Sequence, residues 1–351
     1  MTNARSIIID CRLQIHYSSY YIVGFDRIGL SYTYGLIEDL PLCDKSQLMR
    51  GIAITVQTES LRKTKVFIDT QDLDNIDEAF YNWADIYAKV NLRQSDASLP
   101  KIMAVGPNFG VRFGGIVYTL SLGIRNYLCS RNHYPKNVQP SFKEFMHGYF
   151  YSLYRRTYID VYEQDYEEDR GYVFTMNTLW YDKITDITTN TLRGYFALYC
   201  KKVMTFFEGG FFYINQKTVF DQFPEYTKYL EKYKDIITHK RVSLNHYIEK
   251  TKRSAFVFST PSVCGCHGWK FGEYLAIGKA IISTTINHEM PGSFSVGSHY
   301  LLANNEEEIG LAIDRLLSDE QLVNSLKMKT KNYYKDYIAP EVVVARIISK
   351  C

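Results

Sequence analysis

Short, continuous apolar runs alternate along this chain with longer stretches in which apolar positions recur every three or four residues. Residues 6–11, 66–69, 86–90 and 101–105 read as buried strands, because unbroken β-branched and apolar runs suit a sheet covered on both faces. Residues 114–127 read as a helix, and 142–162 as one long aromatic helix. A second set follows. It comprises a strand at 172–178, a helix at 188–203, a helix at 244–252 capped by Ser243, and a strand at 255–260. A helix at 269–277 and strands at 280–284 and 299–303 complete it. Asn305 with Glu308 makes a capping-box pattern ahead of a helix at 309–317, and Ser318 with Gln321 repeats it. Pro340 opens a last helix at 341–349, where proline is tolerated. Strand–helix alternation in both halves predicts an α/β architecture of parallel sheets under covering helices.

The acidic run Glu163, Asp165, Glu167, Glu168 and Asp169 interrupts this alternation and reads as solvated linker. It divides the chain into domains 1–168 and 169–335, followed by a terminal segment 336–351. No internal repeat or low-complexity tract is present.

Composition narrows the class. Of 351 residues, 46% are apolar and 23% charged, enough to bury two ordinary cores. A net charge of +3 is too small for a dedicated nucleic-acid binder. The 30 tyrosines and 20 phenylalanines read first as core and rim aromatics. Seven scattered cysteines include no CxxC pair, a pattern that predicts free thiols and a reducing, cytoplasmic compartment. The start shows no leader pattern, and no 18-residue apolar run predicts a membrane span.

Chemistry concentrates in residues 255–284, AFVFSTPSVCGCHGWKFGEYLAIGKAIIST. This stretch reads strand, glycine-bearing loop, helix, strand, which is a right-handed βαβ unit. Ligands of open α/β sheets bind beyond the carboxyl ends of the strands, where the loop at 261–268 lies. Gly265 and Gly268 would let a ligand approach the backbone. The helix N-terminus would receive a phosphate, with Lys270 in its first turn and His267 as a further donor. Glu273, one turn on, has the two acceptor oxygens that suit the vicinal hydroxyls of a ribose.

Glu273-Tyr274-Leu275-Ala276-Ile277-Gly278 followed by Lys279-Ala280-Ile281-Ile282 resembles the end of the donor-binding signature of GT-B glycosyltransferases. The likeness is to the retaining, family 4-like enzymes of capsular and surface polysaccharide assembly. It implies two Rossmann-like domains facing across a cleft, the second binding a nucleotide-diphosphate sugar and the first an acceptor, with a terminal helix crossing back. It also implies glycosyl transfer to a hydroxyl of a glycan or lipid-linked acceptor, with no metal or cofactor required. The ribose-binding glutamate of the family's E-x7-E pattern maps onto Glu273, and the first glutamate falls at Gly265, a departure from the pattern. A basic residue near the start of the second domain's first helix, here Arg193, is expected on the pyrophosphate, and Asn177 and Lys183 lie nearby.

Candidate acceptor or cleft residues are Asn108 and Arg112, in the glycine-bearing loop GPNFGVRFGG. His16 and Asp10 are the positional candidates for a base, should the reaction invert. Cys264, Cys266 and His267 lack the spacing of a zinc site. Peripheral attachment to the inner membrane is an open expectation, resting on Arg155 and Arg156 beside Tyr154 and Tyr158. Two rival readings stand. Asp72-Leu73-Asp74 resembles the metal-binding DxD of single-domain GT-A transferases. Alternatively, the chain is a catalytically silent GT-B relative that binds glycan or acts as a scaffold.

Overall fold

A computed structural model describes residues 4–58, 62–180, 187–212 and 226–351. The chain folds into two compact units. Unit 1 holds residues 1–161, 288–292 and 335–351; unit 2 holds 162–287 and 293–334.

Unit 1 is built on a six-stranded sheet. Its elements are β1 (Ala4–Asp10), α1 (Ser19–Arg27), β2 (Tyr32–Gly35), β3 (Gly51–Thr58), β4 (Lys63–Asp69), α2 (Glu78–Trp83), β5 (Ile86–Lys89) and β6 (Ile102–Ala104). Helices α3 (Ile116–Ser130), α4 (Phe142–Arg155) and α5 (Ile159–Glu163) follow. The sheet order is β2-β1-β3-β4-β5-β6. One side of the core stacks Phe67 on Phe80 at 3.9 Å between ring centres, beside Tyr87 and Leu48.

Two expectations for this unit are corrected. The sheet is mixed, since β3 runs antiparallel to both β1 and β4. Strands β3 and β4 form a hairpin closed by the Thr58 amide on the Arg62 carbonyl at 3.1 Å, and its connection carries none of the Gly, Pro or Asn signals that announce a turn. The single long helix at 142–162 is two helices. The chain leaves α4 at Arg156 with an extended backbone, φ −128°. There the Thr157 carbonyl accepts the Arg112 amide at 2.9 Å instead of a helical partner.

Unit 2 contains β7 (Tyr172–Thr178), α6 (Ile187–Val203), β8 (Phe206–Phe212), α7 (Tyr226–Lys232), β9 (Ile237–Thr238) and α8 (Leu244–Arg253). Next come β10 (Val257–Ser259), α9 (Trp269–Ile277), β11 (Ile281–Ser283), β12 (Leu301–Leu302), α10 (Glu306–Ser318) and α11 (Glu320–Tyr333). Two three-stranded parallel sheets, β7-β8-β9 and β10-β11-β12, abut along β7 and β10, where the Ala255 amide donates to the Tyr172 carbonyl at 2.8 Å. The spatial order is therefore β9-β8-β7-β10-β11-β12, a doubly wound parallel arrangement whose direction reverses between β7 and β10. Phe196 of α6 stacks on Phe258 at 4.9 Å, with Val173, Ile282, Ile309 and Ile313 completing the core.

Local signals explain the ends of these helices. Asn305 accepts the Glu308 amide at 2.9 Å to start α10. The cap of α11 is Asp319, which accepts the Leu322 amide at 2.8 Å; Ser318, expected in that role, is the last residue of α10. Gly278 ends α9 in the left-handed conformation, φ +79°. After α11, helix α12 (Pro340–Ile348) belongs to unit 1 and packs on α1, where a Cβ on Gly24 would lie 2.3 Å from the Pro340 carbonyl oxygen. The acidic run at 163–169 lies inside unit 2, and the division comes earlier, between Val161 and Tyr162. Glu168 there is ion-paired with buried Lys279 at 2.6 Å, so the run is more than solvated linker.

Candidate functional site

In a doubly wound sheet the loops leaving the two central strands diverge to opposite faces, and a crevice opens between them at their carboxyl ends. In unit 2 those ends are Met176–Asn177–Thr178 on β7 and Ser259–Thr260–Pro261 beyond β10. Each is approached by a cation from the other crossover. Arg193, on the helix following β7, donates from Nε to Thr260 Oγ1 at 2.8 Å and from Nη2 to the Pro261 carbonyl at 3.4 Å. Lys270, in the first turn of the helix following β10, donates to the Met176 carbonyl and to Asn177 Oδ1, the latter at 3.0 Å.

Among the described residues both cations bind neutral acceptors. Among the described residues no carboxylate lies within ion-pair distance of either. Burial pushes the Arg193 guanidinium down to about 10, against a smaller opposing influence from Tyr274 and Cys266. Burial also pushes the Lys270 ammonium down to about 7, and the nearby positive charge of Arg193 adds to this; Glu273 works in the opposite direction. A charged arginine and a partly neutralised lysine held near one another at a switch point form an arrangement that an anion would relieve.

Glu273 lies one turn beyond Lys270 and is 6% exposed. Its Oε2 accepts the Tyr247 hydroxyl at 3.0 Å and its Oε1 the Tyr162 hydroxyl at 3.4 Å. These two bonds orient the carboxylate. Burial first, and the Glu273 charge second, push the Tyr247 hydroxyl well above its ordinary range, which keeps it a donor.

The loop ahead of α9 has the conformation its glycines allow. Cys264 and Gly265 both have positive φ, +56° and +73°, and a Cβ built on Gly265 meets no atom within 4 Å. The strain there is conformational, and the space beside the turn is open. Gly268 is the N-cap of α9 with ordinary φ and no side-chain cap on the first-turn amides. His267 is buried, with its ring stacked on Phe271 at 5.9 Å.

The remaining candidates fall elsewhere. Lys183 lies outside the described residues. Asn108 and Arg112 belong to unit 1. Asn108 is buried beside the Tyr21 hydroxyl, and Arg112 donates to the Gly114 carbonyl at 3.0 Å with its guanidinium 5.1 Å from the Tyr158 ring. Asp10 is taken up by Arg12, through bonds at 3.0 and 2.7 Å, and by the Ile37 amide at 2.8 Å, an arrangement that holds a turn rather than frees a base. His16 is held near pKa 4, first by burial and then by Arg156 and His147, so it is a neutral imidazole at pH 7. Asp74 of the DxD sequence binds Arg93 through two bonds of 2.7 Å. Among the described residues no group of three His, Cys, Asp or Glu is placed to hold a metal.

Sequence reasoning missed Tyr162, Tyr247 and Thr260. Each lies far along the chain from the residue it serves, and tyrosine and threonine carry no motif of their own.

No protein-family model matches the chain, and a search of curated proteins gives no match. Among solved structures it is similar to a glycosyltransferase from Rickettsia africae ESF-5, at a TM-score of 0.40 and 11% identity over 79% of this chain and 67% of that one. It is similar to Alr3699/HepE of Anabaena in complex with UDP, at 0.39 and 8% over 77% and 79%. It is also similar to the C-terminal domain of a glycosyl transferase group 1 family protein (LpcC) from Francisella tularensis, at 0.36 and 14% over 50% of this chain and 95% of that one. These likenesses are loose, and the functional reading below is built on the residues of this chain.

Proposed function

We propose that the chain is a cytoplasmic glycosyltransferase of GT-B organisation, and that unit 2 binds a nucleotide-diphosphate sugar at the ends of β7 and β10. The observation that carries this reading is the crossed pair Arg193 and Lys270, two cations held at a topological switch point on neutral acceptors. A diphosphate supplies the missing charge. Arg193 takes a phosphate oxygen from one side and Lys270 from the other, with the first-turn amides of α9 as further donors. Glu273, steadied by Tyr162 and Tyr247, accepts from the ribose hydroxyls.

Chemically, the bond from the anomeric carbon to the diphosphate breaks as the acceptor oxygen bonds to that carbon, and the acceptor's hydroxyl proton passes to the departing diphosphate oxygen. Negative charge grows on the leaving diphosphate while the sugar gains oxocarbenium character. Donors fixed before the reaction stabilise that charge without reorganising, the kind of contribution that commonly dominates such barriers. The acceptor is a hydroxyl of a glycan or lipid-linked saccharide, and no metal enters this scheme. The rival DxD reading is disfavoured by the engagement of Asp74 with Arg93.

A thermal-shift panel of nucleoside diphosphates and their sugars tests the reading. One base should raise the melting temperature of the wild type, by an amount that corresponds to about 2.7 kcal/mol at a hundredfold excess over Kd. Glu273→Ala should show a clearly smaller shift with the same compound. Equal shifts in the two proteins would remove Glu273 from the site. Absence of any shift would favour the silent-scaffold reading.

A further inference from the structure

The end of β1 meets the last turn of α3 in unit 1, and each brings a cysteine to the junction. Ile7, Ile9 and Cys11 alternate onto one face of the sheet, and all three are buried. The Cys11 amide donates to the Gly35 carbonyl at 2.9 Å, which carries the pairing of β1 with β2 one residue past Asp10. From α3, Asn126 reaches inward and donates to the buried Tyr149 hydroxyl at 3.0 Å. Ile9 and Asp10 line one small cavity together with Asn126 and Tyr149. Cys129 lies three residues on from Asn126, at the rim of the buried face of α3, and is exposed.

Two observations bring the thiols together. The Tyr134 hydroxyl donates to the Arg12 carbonyl at 2.7 Å and lies 3.4 Å from Ser130 Oγ, so it ties together the residues that follow the two cysteines. The Cys129 thiol itself is within hydrogen-bonding reach of Cys11. Both are free thiols in the structure. Burial first, and then the Asp10 charge and Cys129, hold the Cys11 thiol well above its ordinary range. Cys11 alone would be an inert core cysteine; what distinguishes it is an exposed thiol at its side.

We infer that Cys11 and Cys129 form a peroxide-sensitive pair that closes to a disulfide within the folded chain and locks the end of β1 to α3. Hydrogen peroxide is the oxidant, and the exposed Cys129 meets it first. The Cys129 sulfur takes one peroxide oxygen as the O–O bond breaks, which leaves a sulfenic acid and one water. The Cys11 sulfur then bonds to the Cys129 sulfur. The S–O bond breaks, and the departing hydroxide leaves as water with the proton of Cys11. Two thiols and one peroxide thus give one disulfide and two waters, and a dithiol reductant reverses the change. The inference is independent of how unit 2 is read.

Peptide mapping of the full chain tests it. The reduced protein is treated with a small excess of hydrogen peroxide, its remaining thiols are blocked with N-ethylmaleimide, and it is digested without reductant. The peptide containing Cys11 should be linked to the one containing Cys129, and dithiothreitol should separate them. The oxidised chain should melt at or above the temperature of the reduced one, because the bond closes a long loop of the unfolded chain. Cys129→Ser, at an exposed position, should abolish the link. In Cys11→Ala the sulfenic acid has no resolving thiol, so dimedone should label Cys129 at least about tenfold more than in wild type. A link from Cys129 to another cysteine or to a second chain would overturn the inference. So would absence of the link with equal dimedone labelling in wild type and Cys11→Ala, or an oxidised chain that melts below the reduced one. Should Cys11→Ala fail to fold, the wild-type map and the Cys129→Ser variant decide the matter.

Discussion

Each unit gathers a pair of cations at the carboxyl ends of neighbouring strands, and the two pairs are treated in opposite ways. In unit 1, Arg50 and Lys89 converge on the fully buried Asp69, each at 3.0 Å, and the Tyr87 hydroxyl donates to the same oxygen at 2.5 Å. That carboxylate is satisfied and surrounded, which is how a protein closes a polar centre for good. In unit 2, Arg193 and Lys270 reach the ends of β10 and β7 from the covering helices and, among the described residues, bind amide, hydroxyl and carbonyl oxygens. Positive charge with no carboxylate at ion-pair distance among the described residues disfavours the folded state, and the depressed pKa of Lys270 registers that cost. The contrast separates a charge cluster that holds the fold from one prepared to receive a ligand.

The largest effect should come from breaking the closed cluster. Asp69→Asn takes the shared counter-charge from Arg50 and Lys89, leaving Asp77 at 3.8 Å beside Arg50, and should cost about 3–5 kcal/mol in urea unfolding, the usual penalty for removing one partner of a buried pair. A loss under about 1 kcal/mol would mean that water reaches the cluster and that the two units differ less than described.

A smaller effect sharpens the other side of the comparison. Because folding lowers the pKa of Lys270, its proton is held less tightly in the folded chain. The resulting penalty is present in full below about pH 7 and fades as the pH rises toward the ordinary lysine value. Binding of a diphosphate reverses the preference, since the anion favours the charged form. Above about pH 7, affinity for a nucleotide sugar should therefore weaken by up to about tenfold per pH unit, with one proton taken up on binding. Lys270→Met should flatten this profile. A wild-type profile already flat between about pH 7 and 9 would exclude an ionising lysine from the site.

Much of unit 2 was legible because its punctuation is local. Gly278 takes the left-handed conformation that ends α9, Asn305 caps α10, and the apolar run between Ala255 and Thr260 has the length of a covered strand. Lys270 and Glu273 came with the helix they sit on. What could not be read is what long-range pairing decides. Thr260 lies 67 positions from Arg193, and Tyr162 lies 111 from Glu273. The connection of β3 and β4 has no Gly, Pro or Asn to announce a hairpin, so the alternation of strands and helices in unit 1 reads as wholly parallel. The break after α4 is made by the Arg112 amide, more than forty residues upstream, and nothing in the local sequence Arg155-Arg156-Thr157-Tyr158 encodes it.

The central claim is that Arg193 and Lys270 are held for an anion and not for the fold, and one calorimetric comparison tests it. Wild type, Arg193→Met and Lys270→Met should be titrated with the sugar nucleotide that stabilises the wild type, after urea unfolding of all three. The account predicts stability within about 1 kcal/mol of wild type, or above it, because a largely desolvated cation with no carboxylate partner among the described residues is removed. It predicts affinity at least about tenfold weaker in each variant, a loss of about 1.4 kcal/mol or more. Variants that bind as tightly as wild type, or that lose several kcal/mol of stability, would contradict it.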